Sequence, residues 1–309
     1  GTSGSIGAFT SLDLCLPRVS LTIATPLAYT THRSSALLDL PAGSTVLHAE
    51  LIWSGSYGFD PAVTNDDNLA NTATTNVPIS FITPAGGPYQ ITPQLAKSRV
   101  NSRSDGFYVR SADVTSYVVA AGAGTYSVGG VPGTVIASEN NLNCAGWTLF
   151  VAYANPNMLT SNLTIFVGCE ASGADPAIVN GFHAPDIGLI YGQMFVSALE
   201  GDAQITGDQF LVGATTPLVS PDNQISGSNN PANNFFGAQI NTLLTLSTDP
   251  TIGKLLPGGD GVLDTRGTPG APNSNSSTGN AVSGARQGYD ITSINIGNLI
   301  QNSQETIYT

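Results

Sequence analysis

The stretch Cys144–Cys169, CAGWTLFVAYANPNMLTSNLTIFVGC, decides how the rest of the chain is read. Trp147, Leu149, Val151 and Tyr153 alternate with Thr148, Phe150, Ala152 and Ala154, which is the period of a strand and not of a helix. Both faces of this run are apolar, so the pattern predicts a strand in the middle of a packed sheet; its aromatic and β-branched residues separate it from a buried helix. Asn155-Pro156-Asn157 ends the run, because Pro fixes φ and lacks a donor while Asn tolerates turn conformations. Leu163, Ile165 and Val167 then begin a second alternating run, and the two runs together predict a hairpin. If that hairpin pairs symmetrically about Pro156-Asn157, Cys144 and Cys169 stand opposite each other, at the Cα separation of about 5.5 Å that a disulfide accepts. A turn centred nearer Met158 or Leu159 moves them out of register, and Cys15 with either partner is the alternative pairing.

Bulk composition narrows the class. A chain of 309 residues with 41% hydrophobic content has material for a large core, while 35 Gly and 19 Pro imply many turns. Charged residues make up only 10%, so the surface must be covered mostly by uncharged polar side chains, as in secreted and cell-surface β proteins. Nine basic residues against 21 acidic ones give a formal net charge of -12, which excludes a basic patch for nucleic acid or anionic membranes. No apolar run reaches the roughly 18 residues of a membrane helix. The chain opens on Gly1, as expected of a sequence that has lost a signal peptide or is an excerpt.

Outward from the central stretch, Thr45–Trp53 reads as a strong strand with Leu47, Ala49, Leu51 and Trp53 on its core face. Ser54–Asn76 and Pro257–Gly288 lack an apolar face and are expected to be long surface loops without regular strands. Asp113 has the chemistry of a cap for a single helical turn. Asp290-Ile291-Thr292-Ser293-Ile294 echoes Asp113-Val114-Thr115-Ser116-Tyr117, a weak sign of duplication. Ile187–Leu199 is expected to be a strand bent at Gly192, and Phe235–Leu246 fits helix or strand. Many short strands with Gly/Pro turns and no alternating helices predict an all-β fold, a β-sandwich or jelly roll with at most one or two short helices. The expected division is a β-sandwich over 1–170 and a second β-rich half over 171–309.

Several segments together resemble a family. Gly4-Ser5-Ile6-Gly7-Ala8-Phe9, Ala49-Glu50-Leu51-Ile52-Trp53-Ser54-Gly55, Gly106-Phe107-Tyr108-Val109-Arg110, Ala145-Gly146-Trp147-Thr148-Leu149, Glu200-Gly201-Asp202 with Thr206-Gly207-Asp208, Asn233-Asn234-Phe235-Phe236 and Arg286-Gln287-Gly288-Tyr289-Asp290 are similar to the non-repetitive N-terminal region of Gram-positive surface proteins that carry tandem β-sandwich repeats. The resemblance implies an extracellular, cell-wall-associated structural or adhesive role and brings no catalytic residues. The family region continues past a segment like Glu305–Thr309 with another strand, which implies an excerpt or an open edge here.

The residues that bear on chemistry are few. Glu200, Asp202 and Asp208 could surround a calcium ion, a hard cation that takes loop oxygens; the competing reading is a pair of solvated turn caps. His32, His48 and His183 are too scattered for a zinc triad, and no nucleophile elbow, phosphate loop or dinucleotide fingerprint is present. Tyr57 and Phe59 could form a platform for a glycan, since aromatic faces stack on sugars. The expectation is therefore a non-enzymatic module that binds copies of itself or a surface or matrix ligand. A carbohydrate-binding or carbohydrate-processing sandwich is the alternative, because glycosidase carboxylates need proximity in space and no sequence spacing.

Overall fold

The computed structural model describes residues 33–56, 75–97, 99–100, 107–132, 145–169, 176–199, 206–227, 230–236, 239–242, 245–248, 255–258, 262–266 and 289–309. The fold is all-β and sandwich-like, built of mainly antiparallel sheets with one short α-helix among the described residues.

The first seven strands and the helix are β1 (Arg33–Leu38), β2 (Thr45–Ser56), β3 (Ile79–Thr83), β4 (Gly86–Ile91), β5 (Arg99–Val100), β6 (Phe107–Asp113), α1 (Thr115–Ala121) and β7 (Gly124–Gly129). They are followed by β8 (Ala145–Ala154), β9 (Ile178–Asn180), β10 (Gln193–Leu199), β11 (Gln239–Thr242) and β12 (Thr245–Thr248). The last four are β13 (Leu255–Gly258), β14 (Val262–Arg266), β15 (Tyr289–Asn295) and β16 (Thr306–Tyr308).

Two four-stranded sheets, ordered β5-β6-β2-β8 and β1-β7-β3-β4, face each other across one apolar core. Alternation puts Ala49, Leu51 and Trp53 of β2, Tyr108 and Ala112 of β6, and Trp147 of β8 into that core, where they meet Phe81, Tyr126 and Val128 of the opposite sheet. Trp147 also donates its indole N–H to Ser34 Oγ of β1 at 2.9 Å, a polar tie between the layers. Leu47 leaves the pattern. A bulge between Val46 and His48 gives β2 one extra residue against β8, so Val46 packs on the core and Leu47 turns to solvent.

A third sheet, β10-β15-β11-β14, lies behind the first. Ser111, Ile52 and Thr148 sit side by side in register on the other face of the first sheet, and all three are buried. Thr148 Oγ1 meets Ser197 Oγ of β10 at 3.0 Å, and Ser197 stands opposite the buried Ile291 of β15. A second apolar cluster of Val212, Ile225, Phe235, Ile294, Ile296 and Ile307 fills the far side. Short strands β9 and β16 pair beside it, and Gly213 bridges to Tyr308.

Three expectations are corrected. Among the described residues, β8 is the terminal strand of its sheet and not a central one; its apolar faces are explained by layers in front and behind. Leu163–Val167 forms no strand, so the hairpin is not made. The segment Pro257–Gly288 contains β14, whose pairing with β11 supplies the ladder that its weak composition did not announce. The two similar Asp-led segments also differ in form, because Asp113 ends a strand and opens a helix while Asp290 lies inside β15.

Candidate functional site

The residues singled out from sequence scatter. Tyr57, Phe59, Glu200, Asp202 and Cys144 lie outside the described residues. Cys169 is half-buried with its Sγ 3.9 Å from the Phe107 carbonyl oxygen. Asp208 serves the backbone: its Oδ2 accepts the Phe236 N–H at 2.7 Å and holds the loop that sets Phe235 and Phe236 against Phe210. Among the described residues, no group of three or more His, Cys, Asp and Glu side chains is arranged to hold a metal.

Two polar clusters do assemble. On β2, the buried Glu50 accepts the Ser111 hydroxyl on one oxygen and faces His48 Nε2 at 3.1 Å with the other. His48 Nδ1 lies 3.3 Å from Thr115 Oγ1, which also accepts the Ala49 N–H at 2.9 Å. The order hydroxyl, imidazole, carboxylate is that of a nucleophile relay, yet the Thr115 oxygen is already bound to the β2 backbone at the first turn of α1. The set therefore latches α1 to β2. Asp113 completes it by accepting the Thr115 N–H at 2.8 Å, as an Asx turn and not at the cap position itself, which is Val114.

The second cluster is exposed. His183 places Nδ1 2.9 Å from Glu305 and Nε2 3.1 Å from Asp186, whose carboxylate also accepts the Ser303 hydroxyl at 2.7 Å. Hydrogen bonding to Glu305 and then to Asp186 raises the His183 pKa above the usual imidazole value. The Ser303 hydroxyl, followed by His183, lowers that of Asp186. Asn302 adds bonds to the Pro185 and Gly188 carbonyls, so the loop before β10 is clasped to the segment before β16.

Beside the clasp lies an exposed apolar surface. Ile187 is 87% exposed and Leu189 80%, with Leu163 at 62%, Ile178 at 55% and Phe166 at 50%. The segments that carry them are tied together: Asn162 donates to the His183 carbonyl at 2.9 Å, and Thr164 lies beside Gly181. A group of large apolar side chains presented to water marks a contact surface, since single exposed residues are ordinary and clusters are not. Ile187 and Leu189 lie before the strand expected to contain them, which begins only at Gln193; the signal was an apolar alternation on both sides of Gly188 with no second strand to cover it.

No family model, curated protein or solved structure matches this chain.

Proposed function

We propose that the chain is an extracellular surface module, structural or adhesive and without enzymatic activity, which presents its apolar strip to copies of itself or to a matrix ligand. The observation that carries this reading is the exposure of Leu163, Phe166, Ile178, Ile187 and Leu189 on adjacent segments, held outward by the His183 clasp. The uncharged polar coat and the resemblance to Gram-positive surface proteins support an extracellular setting. A calcium ion held by Glu200, Asp202 and Asp208 belongs to the same proposal and is read by melting with calcium against chelator, because a ligand of the native state raises the melting temperature.

Beads coated with the protein test the function directly. Clustering of the beads, or their retention on a matrix-coated surface, is the expected result, and an Ile187→Ser/Leu189→Ser double variant should lose most of it while melting unchanged. Beads that neither cluster nor adhere would overturn the proposal. So would turnover of a glycan or peptide library by the soluble protein, and binding confined to a glycan array would move the assignment to a carbohydrate-binding sandwich.

A further inference from the structure

The strip contains an extended segment without a ladder, and the same chain contains an edge strand without a second neighbour among the described residues. Asn155 Nδ2 bonds Ser44 and Ala42 at one end of the first sheet, whereas Cys169 reaches Phe107, which stands opposite Ser56 at the other end. The roughly fourteen residues between must cover the length of β2, about 36 Å at strand rise; as a helix they would cover only about 20 Å. Leu159–Gly168 is therefore extended and runs antiparallel to β8. Yet no backbone hydrogen bond is made by Leu163–Gly168 among the described residues.

β8 is the matching half. It pairs with β2 on one side only, and the outward backbone groups of Leu149–Tyr153 have no partner among the described residues. Their side chains are half-buried, in contrast to the buried Ala145–Thr148. Natural edges are guarded by charges, Pro or bulges facing the open side. Neither Ala145–Ala154 nor Leu159–Gly168 has a charged residue or a proline, although the whole chain carries -12. An unguarded acceptor edge and an unguarded donor strand of matching alternation, present in every copy, are complementary between copies.

We infer that a second copy of this chain completes the first sheet, with its Leu163–Val167 segment added antiparallel to the Leu149–Tyr153 edge of β8. This rests on the surface-module reading and names its partner. The hairpin expected from sequence is thus made between molecules. Reciprocal exchange closes a two-fold dimer, and one-way addition propagates a filament.

The test uses sedimentation and amide exchange on the whole chain across about a hundredfold range of concentration, since association obeys mass action. Mass should rise from monomer to dimer or filament, and the Leu163–Val167 amides should gain protection in step with it. Ile165→Pro removes one donor from the added strand, and Ile165→Lys guards it with a charge; both should stay monomeric and melt like the dilute parent. A parent that remains monomeric at every concentration overturns the inference. Amide protection that is independent of concentration also overturns it, because the segment then closes on its own β8. Variants that associate like the parent do the same. A monomer that still adheres to matrix-coated beads removes the inference alone, whereas turnover of a substrate library removes the module reading.

Discussion

Trp53 and Trp147 stand opposite each other in the β2–β8 ladder, both are buried in the same core, and they differ by one hydrogen bond. The Trp147 indole donates to Ser34, while no partner is present for Trp53 Nε1 among the described residues. Replacing Trp147 by Phe costs both a packing loss and a bond whose acceptor is left buried, about 1–3 kcal/mol for the polar part. Trp53→Phe loses similar volume but removes a donor that had no acceptor, so urea denaturation should show the smaller loss there. Asp208 is a second residue whose role is set by one contact. Asp208→Ala strands the Phe236 amide and should lower stability by about 1–2 kcal/mol in chemical denaturation. A calcium-dependent part of that loss would show that the carboxylate also serves a cation.

Elements are held by clasps whose strength depends on pH, and the His183 clasp has a definite sign. His183 has a raised pKa, so its contribution is complete below the ordinary imidazole value and is lost as pH rises through the folded value. Asp186 has a lowered pKa, so its part is present above the ordinary carboxyl value and is lost as pH falls through the folded one. The clasp is therefore strongest near about pH 5, between the two ordinary values. Melting of His183→Ala against the parent should show its largest gap there and a shrinking one as pH rises through the folded His183 value. Equal melting curves at all pH values would show that Asn302 and the backbone bonds suffice. Two strands of the first sheet were legible in sequence because they obey a period of two against a single core: β2 and β8 fall where alternation puts them. Leu47 was misplaced because one bulge reverses the faces upstream of it, and a bulge leaves no mark on composition. Leu163–Val167 has the pattern of a strand, but pattern describes which face would be buried and not whether a partner is at hand. The clasp was illegible for another reason: His183, Asp186, Ser303 and Glu305 are brought together by β9 pairing with β16.

At the scale of the molecule, three layers share a middle sheet that is buried on both sides but by different chemistry. Its front is aromatic and aliphatic, whereas its back offers Glu50, Ser111 and Thr148. A polar back face means that the third layer docks in one register only, since sliding would strand buried hydroxyls. Thr148→Val and Ser197→Ala should each destabilise, and their double-mutant cycle should show coupling of about 0.5–1.5 kcal/mol. Additivity within error would show that the two hydroxyls act independently of each other.

The pairing of β2 with β8 brings Thr45 against Ala154. Partners that lie about a hundred residues apart must wait for each other, because loop closure has to precede the contacts that reward it. During synthesis at about 5–20 residues per second, β2 emerges roughly 5–20 seconds before the strand that pairs with this edge. For that interval the backbone edge of β2 that β8 will pair is open, in a chain with few charges to keep it apart from its neighbours. Refolding should accordingly be slow and should yield less native protein as concentration rises, and a cell that makes this chain must shield β2 until β8 arrives.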